Sequence, residues 1–276
     1  MSKIWLITGS SRGLGRAFTE AVLEAGHSVV AGARNPAQLA DLQSRFEEKL
    51  YPVALDVTDE TQAKAAVDAA IRRYGGLDVL VNNAGYANVS SVEDTPMADF
   101  RAQIETNLFG VILMTKAVLP YFRERKAGYI LQVTSIGGRI GPMGRAPYAA
   151  AKFGVEGFSE SLAKEVAPLG IKVTIVEPGG FRTDFAGSST EFAEGRPEYD
   201  ATVGATIRFQ REYNGKQPGD PAKAAAVLLD LASQAEPPLR LLLGSDAYNA
   251  AEKSALEKLE SDRKWKAVSL STDYSS

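Results

Sequence analysis

Three side chains in this sequence have the types and spacing that proton transfer requires. Ser135 follows the apolar run 129–134, Tyr148 lies 13 residues later, and Lys152 stands four residues beyond it. On a helix, positions i and i+4 share a face, so a phenol and an ammonium placed this way can point into one cleft. A free phenol has a pKa of about 10, too high to exchange a proton readily near neutral pH. A neighbouring ammonium stabilises the phenolate and is expected to lower that value, at about 1.4 kcal/mol per unit. Tyr148 can then give a proton to a nascent alkoxide or take one back, while Ser135 hydrogen-bonds the same oxygen. A tyrosine four residues before a lysine also arises by chance on solvated helices, so the pair gains meaning only from its setting.

That setting includes the glycine loop Thr8-Gly9-Ser10-Ser11-Arg12-Gly13-Leu14-Gly15, between an apolar run and a helical segment. Glycines let the backbone turn tightly and approach a diphosphate with no Cβ in the way. The helix start offers free N–H groups and the positive end of a dipole. The spacing departs from Gly-x-Gly-x-x-Gly, and a glycine turn can be purely structural; its place after the first strand is what points to a dinucleotide. Cofactor choice is read at the end of the second strand, where an acidic residue would hold a ribose 2′-hydroxyl. Here Ala33 takes that place, Arg34 follows it, and Arg12 stands in the loop. Two guanidinium groups suit a 2′-phosphate, so NADP(H) is the expected cofactor; the competing reading leaves both arginines solvated.

Elements able to position these residues follow from the hydrophobic pattern. Short runs rich in Val, Ile and Leu cover 4–8, 28–33, 51–55, 77–82, 129–134, 172–176 and 239–243. They lack polar alternation, as strands buried on both faces do. Between them, 13–25, 36–49, 60–74, 97–125, 147–167 and 221–234 read as helices. Alternation of this kind predicts an α/β, doubly wound Rossmann fold: a seven-stranded parallel sheet of order 3-2-1-4-5-6-7 with helices on both faces. One domain, 1–245, is expected to include a substrate loop at about 185–217, a long insertion containing Gly187, Ser188, Ser189, Gly195 and Pro197. The remainder, 246–276, reads as a C-terminal helical extension of the same domain that begins charged and ends in the frayed polar tail SLSTDYSS.

The 276 residues are 45% hydrophobic and 24% charged with a formal net charge of −3, enough apolar material for a core and no basic stripe for nucleic acid or an anionic membrane. There is no cysteine, which removes disulfides, thiolate metal sites and thiol nucleophiles; no metal is expected. The only histidine, His27, falls in a helix–strand loop and reads as an exposed loop residue. No stretch approaches the roughly 20 apolar residues that span a bilayer, and the N-terminal apolar run is too short for a signal peptide, so a cytoplasmic location is expected.

Taken together, the motifs resemble the short-chain dehydrogenase/reductase family, in its shorter single-domain branch. They come in that family's order: TGSSRGLG, Asp56-Val57, Asn82-Asn83-Ala84-Gly85, Asn107, Ser135, Tyr148-Ala149-Ala150-Ala151-Lys152, and Pro178-Gly179 with Thr183. The resemblance covers about residues 3–244, and the C-terminal portion, PLRLLLG followed by an extra helix, is most similar to the 17β-hydroxysteroid and retinol dehydrogenase-like members. It implies a catalytic set of Asn107, Ser135, Tyr148 and Lys152. It implies a cofactor site of Gly9, Ser11, Arg12, Gly13, Leu14, Gly15, Arg34, Asp56, Val57, Asn83, Ala84, Gly85, Asn107, Tyr148, Lys152, Pro178, Gly179, Phe181 and Thr183. Asp56 and Val57 would contact adenine, Asn107 would anchor a water that links Lys152 to solvent, and the segment 178–183 would bind the carboxamide. The reaction implied is reversible reduction of a ketone or aldehyde to an alcohol by hydride transfer.

Ile136, Ile140, Met143, Phe181, Phe185 and Phe192 are the apolar candidates for a pocket that takes a hydrophobic carbonyl compound. The competing reading has the aromatic residues of the insertion fill its own core. Arg139 and Arg145 are candidates for steering an acidic substrate, against the commoner solvated arginine. A non-catalytic NADP(H) sensor is the alternative, although such proteins usually lose the tyrosine or lysine. A sugar-nucleotide epimerase or dehydratase would usually carry a longer C-terminal substrate domain. Family resemblance implies pairing through helices 97–125 and 147–167, so a homodimer is expected ahead of a tetramer or monomer.

Overall fold

The computed structural model describes residues 2–187, 190–193 and 195–274; Ser188 and Ser189 of the insertion and the last two serines of the tail lie outside these. Seven strands form one parallel sheet: β1 (Ile4–Thr8), β2 (Ser28–Ala33), β3 (Leu50–Ala54), β4 (Val79–Asn82), β5 (Gly128–Val133), β6 (Ile171–Pro178) and β7 (Arg240–Leu243). Their order is β3-β2-β1-β4-β5-β6-β7, as the sequence predicts. Strand side chains alternate between two separate cores. Trp5, Ile7, Val79, Val81 and Leu131 pack with α1 (Gly13–Glu24) and α8 (Pro221–Ser233) on one face. Leu6, Leu80 and Ile130 pack with α3 (Glu60–Tyr74), α5 (Gly110–Arg125) and α6 (Ala146–Val166) on the other. Burial on both faces is why the strands read as unbroken apolar runs.

Local chemistry sets the helix ends. Asp59 caps α3 by accepting from the N–H groups of Thr61 at 2.8 Å and Gln62 at 3.1 Å, and Gly75 closes that helix at φ +78°. Asp220 caps α8 in the same way, with Pro221 at the first helical position.

Three departures from the predicted elements bear on function. The segment expected as one helix over 36–49 keeps only α2 (Ala40–Phe46) as α-helix, because Glu47 takes φ +43° and the chain tightens into 3-10 turns on either side. The segment expected over 97–125 runs as α4 (Met97–Ile104) and α5 joined by a π-helical turn, Glu105–Phe109, which carries Asn107. Such one-turn bulges sit disproportionately at functional sites. The insertion expected as an irregular loop contains a π-turn, Asp200–Gly204, and the helix α7 (Ala205–Tyr213). Val203 and Ile207 of that unit pack on Val89 to make a small third core with Phe192. The C-terminal extension forms α9 (Ser245–Leu270), whose Ala247 and Ala251 are buried while the helix beyond is exposed. None of the helices described is long and apolar enough to cross a membrane.

Candidate active site

A cavity of about 640 Å³ opens at the carboxyl ends of β1, β2, β4, β5 and β6. In a parallel sheet these ends meet the loops that lead into helices, so functional groups gather there. Its floor is a clasp between β1 and β4. The Thr8 hydroxyl accepts from the N–H groups of Asn83 and Ala84, both at 3.0 Å, and the Asn83 amide donates to the carbonyls of Thr8 at 3.0 Å and Gly9 at 3.3 Å. Glycine is obligatory at two points of this clasp. Gly9 has φ +68°, and a Cβ there would lie 2.9 Å from the Ala84 Cα. At Gly15 a Cβ would lie 2.2 Å from the Gly9 carbonyl oxygen. Gly15 is therefore a packing glycine that seats α1 against the clasp; of the loop residues expected to touch cofactor, it alone does not line the cavity.

The donor set at this end suits a dinucleotide phosphate. Helix α1 starts at the cavity with no side-chain cap and no acidic residue in its first turn, leaving its N–H groups to an anion. Arg12 and Arg34 both line the cavity, are exposed, and form no ion pair among the described residues. Ala33, buried, stands where an acid would hold a 2′-hydroxyl. Asp56 and Val57 line the adjoining wall, and the Asp56 carboxylate accepts from the Thr58 hydroxyl at 2.7 Å. Asn83, Ala84, Gly85, Pro178, Gly179, Phe181 and Thr183 complete the lining where the motifs place them.

At the other end Ser135, Tyr148 and Lys152 face the same space. Ser135 follows β5 by two residues and caps the next turn, its hydroxyl accepting from the Gly137 N–H at 3.0 Å. Tyr148 and Lys152 occupy the first turns of α6, and both are buried. The electrostatics differ from the sequence expectation. Burial raises the Tyr148 phenol above its ordinary range, and Ser135 and the Arg145 guanidinium pull it part of the way back. The Lys152 ammonium lies over the Tyr148 ring, 5.7 Å from its centroid, and donates to the Val133 carbonyl at 2.9 Å rather than to the phenol oxygen. Burial lowers the amine itself to about 8, against an opposing pull from Glu156 one helical turn away. Asn107 is fully buried and stands behind the cavity wall; its amide exchanges two hydrogen bonds with the Tyr86 backbone, at 3.0 and 2.9 Å. Asn82 faces inward into a buried network with Gln132 and Thr115.

The expected pocket wall divides. Ile136, Ile140, Phe181 and Phe185 line the cavity, with the Phe185 ring 5.8 Å from that of Tyr148. Met143 is exposed and Phe192 belongs to the third core, so neither contributes. Neither candidate arginine is solvated in the ordinary way. Arg139 is ion-paired with Glu177 at 2.8 Å, outside the cavity, whereas Arg145 lines it. His27 is half-buried rather than exposed: its Nδ1 accepts from the Lys3 N–H at 3.0 Å, remote from the site. Sequence reasoning missed Phe209, Gln210 and Tyr213 of α7 and Asp246 of α9, which close the cavity from above. The aromatic pair at 209 and 213, four residues apart and stacked at 5.1 Å, is the signal that a helix was present.

Because the folded chain binds the Lys152 proton less tightly than the unfolded chain does, this residue destabilises the fold below about pH 8, and the penalty fades between there and the ordinary lysine value of 10.5. Lys152→Met is therefore expected to stabilise the chain by about 1–3 kcal/mol near neutral pH, with the gain shrinking as pH rises across that window. Denaturant unfolding of both proteins at several pH values measures it; a gain independent of pH would contradict the buried-cation account.

Residues 3–194 match the family model described as short chain dehydrogenase. The chain is 50% identical over 273 residues to oxidoreductase BOA17 of Botryotinia fuckeliana, covering 99% of this chain and 100% of that one. It is 35% identical over 246 residues to a 3-ketodihydrosphingosine reductase of Bacteroides thetaiotaomicron, covering 88% of each. A short-chain dehydrogenase from Streptomyces avermitilis, known as a crystal structure, superposes with a TM-score of 0.92 at 40% identity, covering 99% of this chain and 98% of that one. Sheet order, a cavity at the carboxyl ends of the strands and similarity over nearly the whole length agree, and the chain belongs to the short-chain dehydrogenase family of oxidoreductases.

Proposed function

We propose that the chain is an NADPH-dependent reductase that converts a ketone or aldehyde to an alcohol, reversibly, with Tyr148 as the proton donor. The observation that carries this reading is the convergence of Ser135, Tyr148 and Lys152 on the cavity that also holds the glycine loop. NADPH, when bound, supplies the hydride to the carbonyl carbon, and one proton completes the alcohol. A phenol held above its ordinary range is protonated near neutral pH, so Tyr148 is charged with that proton when the carbonyl arrives. Ser135 donates its hydroxyl to the same oxygen as negative charge develops. Lys152, whose ammonium donates to the Val133 carbonyl at 2.9 Å, would hold the cofactor's ribose hydroxyls and would return a proton to Tyr148.

Asn107 supports that relay from behind. A Cβ at Gly85 would lie 2.5 Å from the Asn107 Oδ1 and 3.8 Å from the Lys152 Nζ, so the two groups flank a gap that admits only glycine. Ile136, Ile140 and Phe185 favour a substrate with an apolar body, and the relative named for reduction of 3-ketodihydrosphingosine acts on a ketone. Arg12 and Arg34, with no acid at Ala33, favour NADPH over NADH. The working unit is a dimer through the α4–α5 and α6 faces, where Phe109 and Phe153 are exposed.

Tyr148→Phe is expected to lower turnover by about 10²–10⁴-fold while NADPH still binds, as followed by nicotinamide absorbance and fluorescence; near-normal turnover would remove Tyr148 from its role. Arg34→Asp is expected to move the NADPH/NADH ratio of kcat/KM towards NADH by about 10–100-fold, the value of a charge-assisted hydrogen bond. An unchanged ratio would refute the phosphate clamp. Sedimentation equilibrium should give twice the chain mass, and a strictly monomeric protein would exclude the paired form.

A further inference from the structure

We infer that Arg145 is the receptor for a carboxylate on the substrate, so that the carbonyl compound reduced at Tyr148 is an oxo acid. This rests on the reductase reading and narrows it.

Arg145 is a mostly buried cation that lacks a carboxylate partner among the described residues. Other arginines near the sheet and the insertion are satisfied: Arg139 by Glu177, Arg240 by Glu156 and Glu160, Arg196 by Asp94. Arg145 has only the Gln210 side-chain oxygen at 3.3 Å and the face of Phe185, whose centroid is 5.8 Å from its Cζ. Its Nε is sealed from solvent and meets no acceptor. Burial lowers its pKa, and the group named as opposing that shift is Tyr148, not an acid. Among the described residues, no carboxylate that shares the cavity is ion-paired with Arg145: Asp246 accepts from the Gly180 N–H at 2.7 Å through one oxygen while its Oδ1 meets no donor, and Asp56 accepts from Thr58. A buried guanidinium without a counter-ion is costly, and the cost is recovered when an anion arrives in bidentate geometry.

Position identifies which anion. Arg145 is the N-cap of α6 and precedes Tyr148 by three residues, a spacing that stacks the two side chains on one helix face. The Phe185 ring lies 5.8 Å from both the guanidinium and the Tyr148 ring. A carboxylate on Arg145 therefore belongs to the same small molecule as a carbonyl on Tyr148, a few bonds away and resting on Phe185. The cofactor's phosphates do not compete for this arginine. Their cradle follows β1, whereas Arg145 follows β5, with β4 between them in the sheet.

The test uses straight-chain oxo acids, starting with levulinate, each paired with its methyl ester and assayed with NADPH. The ratio of kcat/KM for acid over ester is read within each variant, so an effect of the substitution on the Tyr148 proton or on α7 cancels. The parent enzyme is expected to prefer the acid by about 10–100-fold, Arg145→Met to bring the ratio to about one, and Arg145→Lys to leave an intermediate ratio because charge remains without the planar fork. Turnover of acids and esters at equal rates by the parent enzyme would overturn the carboxylate receptor and leave the reductase reading intact. A preference that survives Arg145→Met would also overturn it. If the parent reduced neither, the reductase reading would rest on its own Tyr148→Phe test with other ketones and aldehydes, and calorimetry of the same pairs with the NADP⁺-loaded enzyme would decide the receptor separately. Tighter binding of the acid, lost in Arg145→Met, supports it; equal binding of acid and ester overturns it.

Discussion

Desolvation governs this site. A phenol, an amine and a guanidinium are held in one cavity, and each is shifted toward its neutral form: the Tyr148 phenol upward, the Lys152 amine down to about 8, the Arg145 guanidinium downward. In water a phenol and an amine have nearly equal pKa values, about 10 and about 10.4, so a proton passes between them with little preference. Withdrawn from water, the phenol rises and the amine falls, which makes the ammonium the stronger acid and gives a proton passing from Lys152 to a Tyr148 phenolate a downhill direction. The cost is carried by the fold, because buried charge stabilises nothing until a partner supplies the missing field.

Topology explains why three such groups can be held so closely. A parallel sheet delivers the ends of β1, β4, β5 and β6 to one rim. The Thr8–Asn83 clasp fixes the glycine loop against β4. Across the rim, α6 presents Tyr148 and Lys152 on successive turns of one face, with Arg145 at its N-cap, so one rigid helix and its cap set the distances among them. The cover comes from elements without regular spacing in sequence, namely the turn at Phe185, helix α7 and the first residue pairs of α9. Floor and cover divide the labour: the first forms the cleft beside the glycine loop, the second shapes the end of the cavity at Tyr148.

This division also explains what could be read in advance. Sheet order and the placement of Tyr148 and Lys152 together on the cavity were legible because their signals are local: apolar runs for doubly buried strands, i and i+4 for a shared helix face. The π-turn at Asn107 was not, since a single extra residue per turn leaves the apolar pattern of 97–125 intact. Helix α7 was hidden in an insertion interrupted by Gly187, Gly195, Gly204 and Pro197, where Ile207 and Val203 pack on the distant Val89. The direction of the Tyr148 shift was misread for a related reason. Spacing reports that an amine is one turn away, whereas the pKa depends on burial and on Arg145, whose approach is fixed by tertiary packing. Phe192 was misplaced by the same logic, an aromatic residue of the insertion spent on its own core.

The charged cluster beneath Lys152 shows how the rigid half is held. Glu156 accepts from the Thr134 hydroxyl at 2.7 Å and from Arg240 at 3.0 Å; Arg240 also reaches Glu160 and Glu177, and Glu177 pairs with Arg139. Burial raises the Glu177 carboxyl to about 7, and Arg139 and Arg240 restrain it from rising further. Such a cluster gains little net stability, since desolvation offsets most of the attraction among its members. What it supplies is geometry. It ties α6 to β5, β6 and β7 through directional bonds, where apolar packing alone would let the helix slide. Lys258 of α9 extends the tie by donating to the Arg139 carbonyl at 2.9 Å, so the C-terminal helix is anchored to the same lattice of bonds that fixes Tyr148 and Lys152. The helix that carries Tyr148 and Lys152 is thus clamped one turn beyond Lys152, and its first turns are left free to face the cavity.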